Sequence, residues 1–392
     1  MKSLIGALCF ALAALPAAAE TLDVKVGVLR EAHSSETLSI LDIPAADDAL
    51  AGALLGAADN NTTGKFTDQR FETIDERLDD GADAGAAVDA LVDKGVSLII
   101  ADLSAEPLLA ASDRAKAKGA LLFNISAADD RLREADCRAN VIHVAPTRSM
   151  LADGLAQYLV WKQWRRWLLI KGSHPNDELL AQAMRNSAKK FGGKIVEERV
   201  YEDTGGGRRS DSGSVQTQRQ IPVLTQNAPA YDVLIAADES DVFGGYLPYR
   251  TWDPRPVAGA GGLTPTSWDA SHEQWGARQL QNRFVQTFKR SMTARDNAAW
   301  LAMRMIGEAA TRTASNDAKK LRLYLLGKDF SIAAFKGVRL TLRPWNQQLR
   351  QPILLADGRM VVSISPQEGF LHQTSELDTL GVDQPETKCK LK

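Results

Sequence analysis

Residues 96–103 read Val-Ser-Leu-Ile-Ile-Ala-Asp-Leu and residues 120–126 read Ala-Leu-Leu-Phe-Asn-Ile-Ser, with Pro107 to Lys118 and the stop signal Gly119 between them. Both runs are almost continuously apolar, as strands covered on two faces must be. The segment between them has helical spacing. Strand, helix and strand in that order require a crossover, so the two strands lie parallel in one sheet.

The same rhythm extends in both directions. Upstream, Val24 to Leu29 reads as a strand, Ala46 to Asn60 as a helix, Arg70 to Ile74 as a strand and Ala84 to Lys94 as a helix ended by Gly95. After Cys137 the rhythm restarts. Strands are predicted at Val141 to Ala145, Trp167 to Lys171, Lys194 to Tyr201, Tyr231 to Ala237 and Pro256 to Gly262, with helices at Ser149 to Gln163 and Asp177 to Phe191. Two successive runs of one pattern predict an α/β protein with two Rossmann-like lobes on parallel sheets. The last part differs, with helices expected at Gln274 to Ser291, Asp296 to Thr313 and Ala318 to Leu326, and strands at Gly337 to Leu342 and Gln351 to Ile364. Asp357-Gly358 is a hairpin signal, and the hairpin should join the edge of one lobe.

The N-terminus gives an address. Met1-Lys2 is followed by the apolar run Leu4 to Leu15 and by Pro16-Ala17-Ala18-Ala19, so residues 1–19 are expected to be a signal peptide cleaved after Ala19. A buried first helix is the alternative. No later stretch reaches the ~18 apolar residues of a membrane helix. Removing the signal leaves Cys137 and Cys389, an even pair in an oxidising compartment, and a disulfide between them is expected rather than two free thiols.

Chemistry is harder to find. The 392 residues carry 47 Lys plus Arg against 49 Asp plus Glu, a net charge of −2 that argues against a nucleic-acid partner. The five histidines, His33, His143, His174, His272 and His372, form no His-Glu-x-x-His pattern. There is no Gly-x-Ser-x-Gly elbow, no Gly-x-Gly-x-x-Gly after the first strand and no Cys-x-x-Cys pair. The adjacent acids Asp47-Asp48 and Asp129-Asp130 read as solvated charges or helix caps. No enzyme, cofactor or metal site is expected. Asp203 to Gly213 lacks a P-loop ending and reads as a solvated loop, with a docking flap as its functional alternative. Trp161, Trp164 and Trp167 read as packing at a lobe edge. Trp252, Trp268 and Trp275 fall in loops or at helix starts after buried strands, where α/β proteins hold ligands, and read equally as ligand-stacking aromatics or as packed loop anchors.

These features carry a resemblance. Val24 to Leu29, the turn Ala101-Asp102-Leu103-Ser104 and the strand Leu122 to Ser126 resemble the first lobe of type I periplasmic binding proteins, the leucine/isoleucine/valine-binding-like receptors of ABC importers. Ala236 to Ser240, Tyr246 to Trp252, Trp345 to Ile353, Ser365 to His372 and Leu377 to Gly381 resemble one subfamily. Its members are ABC-transporter substrate-binding proteins of the PQQ-dependent alcohol dehydrogenase system (PQQ being pyrroloquinoline quinone).

The resemblance implies a type I fold with a ligand cleft between lobes. Lobe 1 would span 20–146 plus about 269–335, lobe 2 147–268 plus about 336–366, and a C-terminal tail 367–392. It implies a periplasmic monomer that passes a small molecule to an inner-membrane ABC permease. Candidate ligands are PQQ, a lanthanide or metal complex, and an alcohol-derived solute; a branched-chain amino acid, as in the wider family, is the alternative. A periplasmic dehydrogenase is a possible further partner, and an accessory that docks with it without carrying solute is the alternative of another class. Matching residue by residue, Ser104 and Ser126 stand where that family grips a carboxylate, Glu239 or Asp238 where it grips an ammonium, and Trp268 where it places an aromatic. The usual Gly-Pro-x-x-Ser turn is replaced by Ala101-Asp102-Leu103-Ser104, a departure at the carboxylate end. The expected ligand contacts are Arg30, His33, Ser104 and Ser126 from lobe 1 and His174, Glu239, Arg250 and Trp268 from lobe 2. The two arginines would suit an anionic ligand.

Overall fold

The computed structural model describes residues 21–32, 43–203 and 217–391. The expected signal peptide, His33 and most of the 203–213 loop lie outside the described residues. No described helix is long and apolar enough to cross a membrane.

The first lobe is built on β1 (Leu22–Glu31), α1 (Leu50–Thr67), β2 (Gln69–Leu78), α2 (Ala84–Asp93), β3 (Leu98–Asp102), α3 (Ala105–Lys118), β4 (Leu121–Asn124) and β5 (Val141–His143). Its five strands are parallel in the order β2-β1-β3-β4-β5. The unbroken apolar run in β3 has a direct cause. Leu98 and Ile100 face one hydrophobic cluster, and Ile99 and Ala101 face the other. Alternate side chains of a strand point to opposite faces, and helices cover both.

The second lobe repeats the plan with α4 (Arg148–Trp161), β6 (Arg166–Lys171), α5 (Pro175–Phe191), β7 (Lys194–Val200), α6 (Thr217–Thr225), β8 (Val233–Ala237), α7 (Leu247–Arg250) and β9 (Val257–Gly259). Its parallel sheet runs β7-β6-β8-β9. Trp167 and Leu169 of β6 pack with Met150 and Leu155 of α4, while Leu168 and Ile170 pack on the opposite side with Ile221 and Phe243.

After β10 (Thr264–Thr266), the helices α8 (Ala277–Phe288), α9 (Ala294–Thr313) and α10 (Ala318–Leu325) return to the first lobe. There α9 packs so tightly on α1 that a Cβ at Gly52 would fall 1.9 Å from the Asp296 carbonyl oxygen. Short antiparallel strands follow: β11 (Ile332–Ala333), β12 (Arg339–Leu342) and β13 (Leu349–Arg350) form one sheet. The hairpin β14 (Ile353–Ala356) and β15 (Val361–Ser365) turns at Asp357-Gly358 and pairs antiparallel with β10, beside the second lobe.

The chain passes between the two cores three times: after β5, before Trp268, and between Leu349 and Ile353. The third passage differs from the sequence expectation of about residue 335. Leu340, Leu342 and Leu349 sit in the first-lobe core because β12 pairs with β11 and β13, neighbours that strand periodicity cannot identify. The tail binds both halves. Asp378 receives Arg343 and Arg350, each at 2.8 Å, Lys190 donates to the Thr379 and Gly381 carbonyls, and Cys389 is bonded to Cys137, with Cα atoms 5.7 Å apart.

A polar seam holds the crossings together. Gln347 Nε2 donates to the Val141 carbonyl (2.7 Å), Gln348 Nε2 to that of Ala145 (3.0 Å) and Gln351 Nε2 to that of Val144 (2.6 Å). Buried Arg133 donates to the carbonyls of Ala127 (2.7 Å) and Ala145 (2.8 Å) and to Gln348 Oε1 (2.9 Å). Lys336 Nζ donates to Gln351 Oε1 at 2.6 Å, and its burial pushes the ammonium pKa down to about 7. The unfolded chain therefore binds a proton at Lys336 that the folded chain lacks between about pH 7 and an ordinary lysine's ~10.4. Stability from this group rises with pH across that window and is lost as pH falls through it. Urea melts at pH 7 and pH 10 should show this rise in the wild type and a clearly smaller one in Lys336→Met.

Candidate functional site

Parallel strands of both lobes end on a common cleft of about 380 Å³. Loops at those ends are the natural ligand sites of open α/β sheets, since helix N-termini and free backbone groups converge there. From the first lobe come Glu31 at the end of β1, Ser104 between β3 and α3, Ser126 to Asp129 after β4, Arg131, and Arg295 in the first turn of α9. From the second come Arg148 at the start of α4, Asn176 in the first turn of α5, and Glu239 just after β8.

Arg148 is the centre of the charge arrangement. Its guanidinium, 5% exposed, grips Glu239 bidentately at 2.6 Å through Nε and Nη2, and reaches Asp129 through Nη1 at 3.0 Å. Burial opposes its charge, yet the hydrogen bonds and charges of Glu239 and Asp129 outweigh that penalty and raise its pKa above the ordinary value. Because Asp129 belongs to the first lobe and Glu239 to the second, this group ties the two walls. The other cations are also engaged. Arg131 pairs with Glu106 (2.6 Å) and Asp136 (2.8 Å), and Arg295 approaches Asp48 (3.5 Å) and Asp102 (3.9 Å).

Two serines shape the first-lobe wall. Ser104 caps α3, and both its backbone N–H (2.5 Å) and its hydroxyl (3.1 Å) donate to the Glu31 carboxylate. Ser126 donates its hydroxyl to the Leu103 carbonyl at 3.0 Å, which ties the loops after β3 and β4 together. Among the described residues, no group of three or more His, Cys, Asp or Glu side chains could hold a metal ion.

Of the eight residues expected at the site, Ser104, Ser126 and Glu239 line this cleft. Arg30 does not: its guanidinium pairs with Asp75 (2.7 Å) and the Ala46 carbonyl (2.6 Å) beside a smaller cavity, which Glu31 also lines. His174 caps α5, with Nε2 at 2.8 Å from Asp203. Arg250 lies at the exposed end of α7, outside the cleft lining. Trp268 is 2% exposed in the first-lobe core, edge-on to His272 with ring centroids 5.6 Å apart. His33 lies outside the described residues. Asp238, the other acid considered beside Glu239, accepts the backbone N–H groups of Val242, Phe243 and Gly244 and orders that loop.

Sequence reasoning missed Glu31, Asp129, Arg131, Arg148, Asn176 and Arg295. Parity along β1 would have selected Glu31, since the inward position alternates with Arg30. Arg148 carried no local signal, because a first-turn arginine is ordinary until the fold brings Glu239 opposite it.

Comparisons with known proteins agree with this architecture. The family described as periplasmic binding protein matches residues 36–220. A search of curated proteins returned no match. Among solved structures, a periplasmic binding protein from Burkholderia mallei is 17% identical, covering 94% of this chain and 99% of its own, with TM-score 0.68. An ABC transporter substrate-binding protein from Sphaerobacter thermophilus is 18% identical over 87% of this chain and 97% of its own, with TM-score 0.70. The closed conformation of a leucine-, isoleucine-, valine-, threonine- and alanine-binding protein from Brucella ovis is 14% identical over 94% and 99%, with TM-score 0.66. The fold is that of type I periplasmic binding proteins, two α/β lobes on parallel sheets. The matched proteins are binding proteins rather than enzymes, in line with the absence of a catalytic motif in the sequence.

Arg148→Met leaves half-buried Asp129 and exposed Glu239 without their shared cation. It should cost about 1–3 kcal/mol in chemical denaturation, the range for hydrogen bonds to charged groups once solvent screening at Glu239 is counted. Adding Glu239→Gln to that variant should recover part of the loss, the sign of direct coupling.

Proposed function

We propose that the protein is a periplasmic substrate-binding protein of an ABC transporter, which captures a small solute by closing its two lobes. The carrying observation is the cleft itself. It lies at the strand ends of two separate cores, is walled by residues of both, and is bordered by three chain crossings that can act as a hinge. A solute touching both walls makes its full set of contacts only when they close. It therefore shifts the population toward closure by its differential affinity. A permease that reads the closed shape is the partner this mechanism requires, and the periplasm is the compartment that fits the disulfide.

Ligand identity is the finer question. A branched-chain amino acid is favoured by the kind of receptor that shares this fold, such as the Brucella ovis protein. The link to PQQ-dependent alcohol oxidation rests on five motifs. Of these, 236–240 includes the cleft residue Glu239, 246–252 lies outside the cleft lining, 345–353 belongs to the hinge seam, and 365–372 and 377–381 belong to the tail, so most of them describe the frame and not the cleft contacts. A dehydrogenase-docking accessory without solute remains the competing reading.

A thermal-shift panel of PQQ, lanthanum and calcium ions, short alcohols and their acids, small amines and branched-chain amino acids tests the proposal. One chemical class should raise the melting temperature by several degrees, since saturation at 100 times Kd contributes about 2.7 kcal/mol. Stabilisation by leucine or valine alone would end the quinoprotein link. No stabilisation by any compound, with a dehydrogenase co-purifying, would favour the accessory.

A further inference from the structure

The amide end of α3 is the natural anion seat of the cleft. It is a 14-residue helix whose cap, Ser104, and first residues, Ala105 and Glu106, line the cavity. The cap of that seat is already taken from within. The Glu31 carboxylate accepts the Ser104 N–H at 2.5 Å and the Ser104 hydroxyl at 3.1 Å. Neutral donors alone hold it among the described residues, whereas Arg131, Arg148 and Arg295 are each committed to other acids. A ligand carboxylate entering here would meet a like charge and, among the described lining residues, find no cation that is not already paired. A carboxylate offers about four lone-pair sites, and two donors leave room for the N–H groups of a cation. The apolar part of the walls is small and aliphatic, from Leu103, Ala105, Ala127 and Ala128, beside the polar Ser126 and Asn176, with no aromatic ring among the lining residues.

We infer that Glu31 sets the charge class of the ligand: the cleft takes a small organic cation, an amine or amidine without a carboxylate, whose N–H donors pair with Glu31. The inference rests on the receptor reading above and narrows it. Both the anionic ligand suggested by Arg30 and Arg250 and an α-amino acid held through its carboxylate at α3 are displaced by it.

Isothermal titration calorimetry of the mature chain with putrescine, agmatine, leucine and benzoate tests this in the wild type, Glu31→Gln and Glu31→Ala. The wild type should bind putrescine or agmatine and give no heat with leucine or benzoate. Glu31→Gln, which keeps the shape and removes the charge, should weaken amine binding at least tenfold without changing the unliganded melting temperature by more than a few degrees. Glu31→Ala, which vacates the helix end, should gain measurable binding of a carboxylate. Binding of leucine or benzoate by the wild type, undiminished by Glu31, would overturn the inference and leave the receptor standing. So would failure of both amines with the wild type while another compound of the melting panel stabilises it. If no compound binds in either experiment, the receptor reading falls and the inference with it.

Discussion

Backbone carbonyls at the hinge are the constraint on which the rest of the structure depends. Where a chain leaves one sheet for another, its peptide groups lose their strand partners, and buried carbonyls without donors are costly. Here the run 347–351 supplies those donors from glutamine side chains, and Arg133 donates to the carbonyls of Ala127, Asp129 and Ala145 and to Gln348 Oε1 from the other side. Burial pushes the Arg133 pKa down to about 9, a measure of how dry the seam is. The same arginine holds the Ala127 carbonyl, and Ala127 lines the cleft. The crossings and the cleft wall are therefore one hydrogen-bonded unit. The third crossing cannot shift without disturbing the loop after β4.

Much of the frame was legible because burial on two faces writes itself into a sequence as an unbroken apolar run. That explains β3, β4, β6 and β8, and Asp357-Gly358 marked the closing hairpin. The Cys137–Cys389 bond followed from counting thiols in an oxidising compartment. Allocation of β12 to a lobe was not legible, since a four-residue strand says nothing of its partners. The cleft was legible only in part. Ser104, Ser126 and Glu239 stand immediately after strands or one residue beyond, where position alone suggests a role. Trp268 has that same position but turns into the core, and nothing local distinguishes a stacking aromatic from a packed one. Glu31 was overlooked beside Arg30, although strand parity separates them. Arg148 and Asp129 acquire meaning only from each other, across a crossing that no local pattern reports.

The charge arrangement also bears on how closure would work. Arg148 already joins Asp129 of one wall to Glu239 of the other. A solute entering the cleft thus meets walls that are pre-positioned but not sealed, and less freedom is left for binding to remove. Among the described residues, each lining arginine is matched by an acid, so on the proposed reading selection falls to shape and to Glu31, the lining carboxylate held there by neutral donors.

Small-angle X-ray scattering, with and without a saturating amount of a compound that raises the melting temperature, addresses the central claim most directly. Closure around the solute predicts a smaller radius of gyration and a shorter maximum dimension in its presence, reversed on dialysis. Tight binding with an unchanged scattering curve would contradict the account, because the solute would then occupy a site that does not join the lobes.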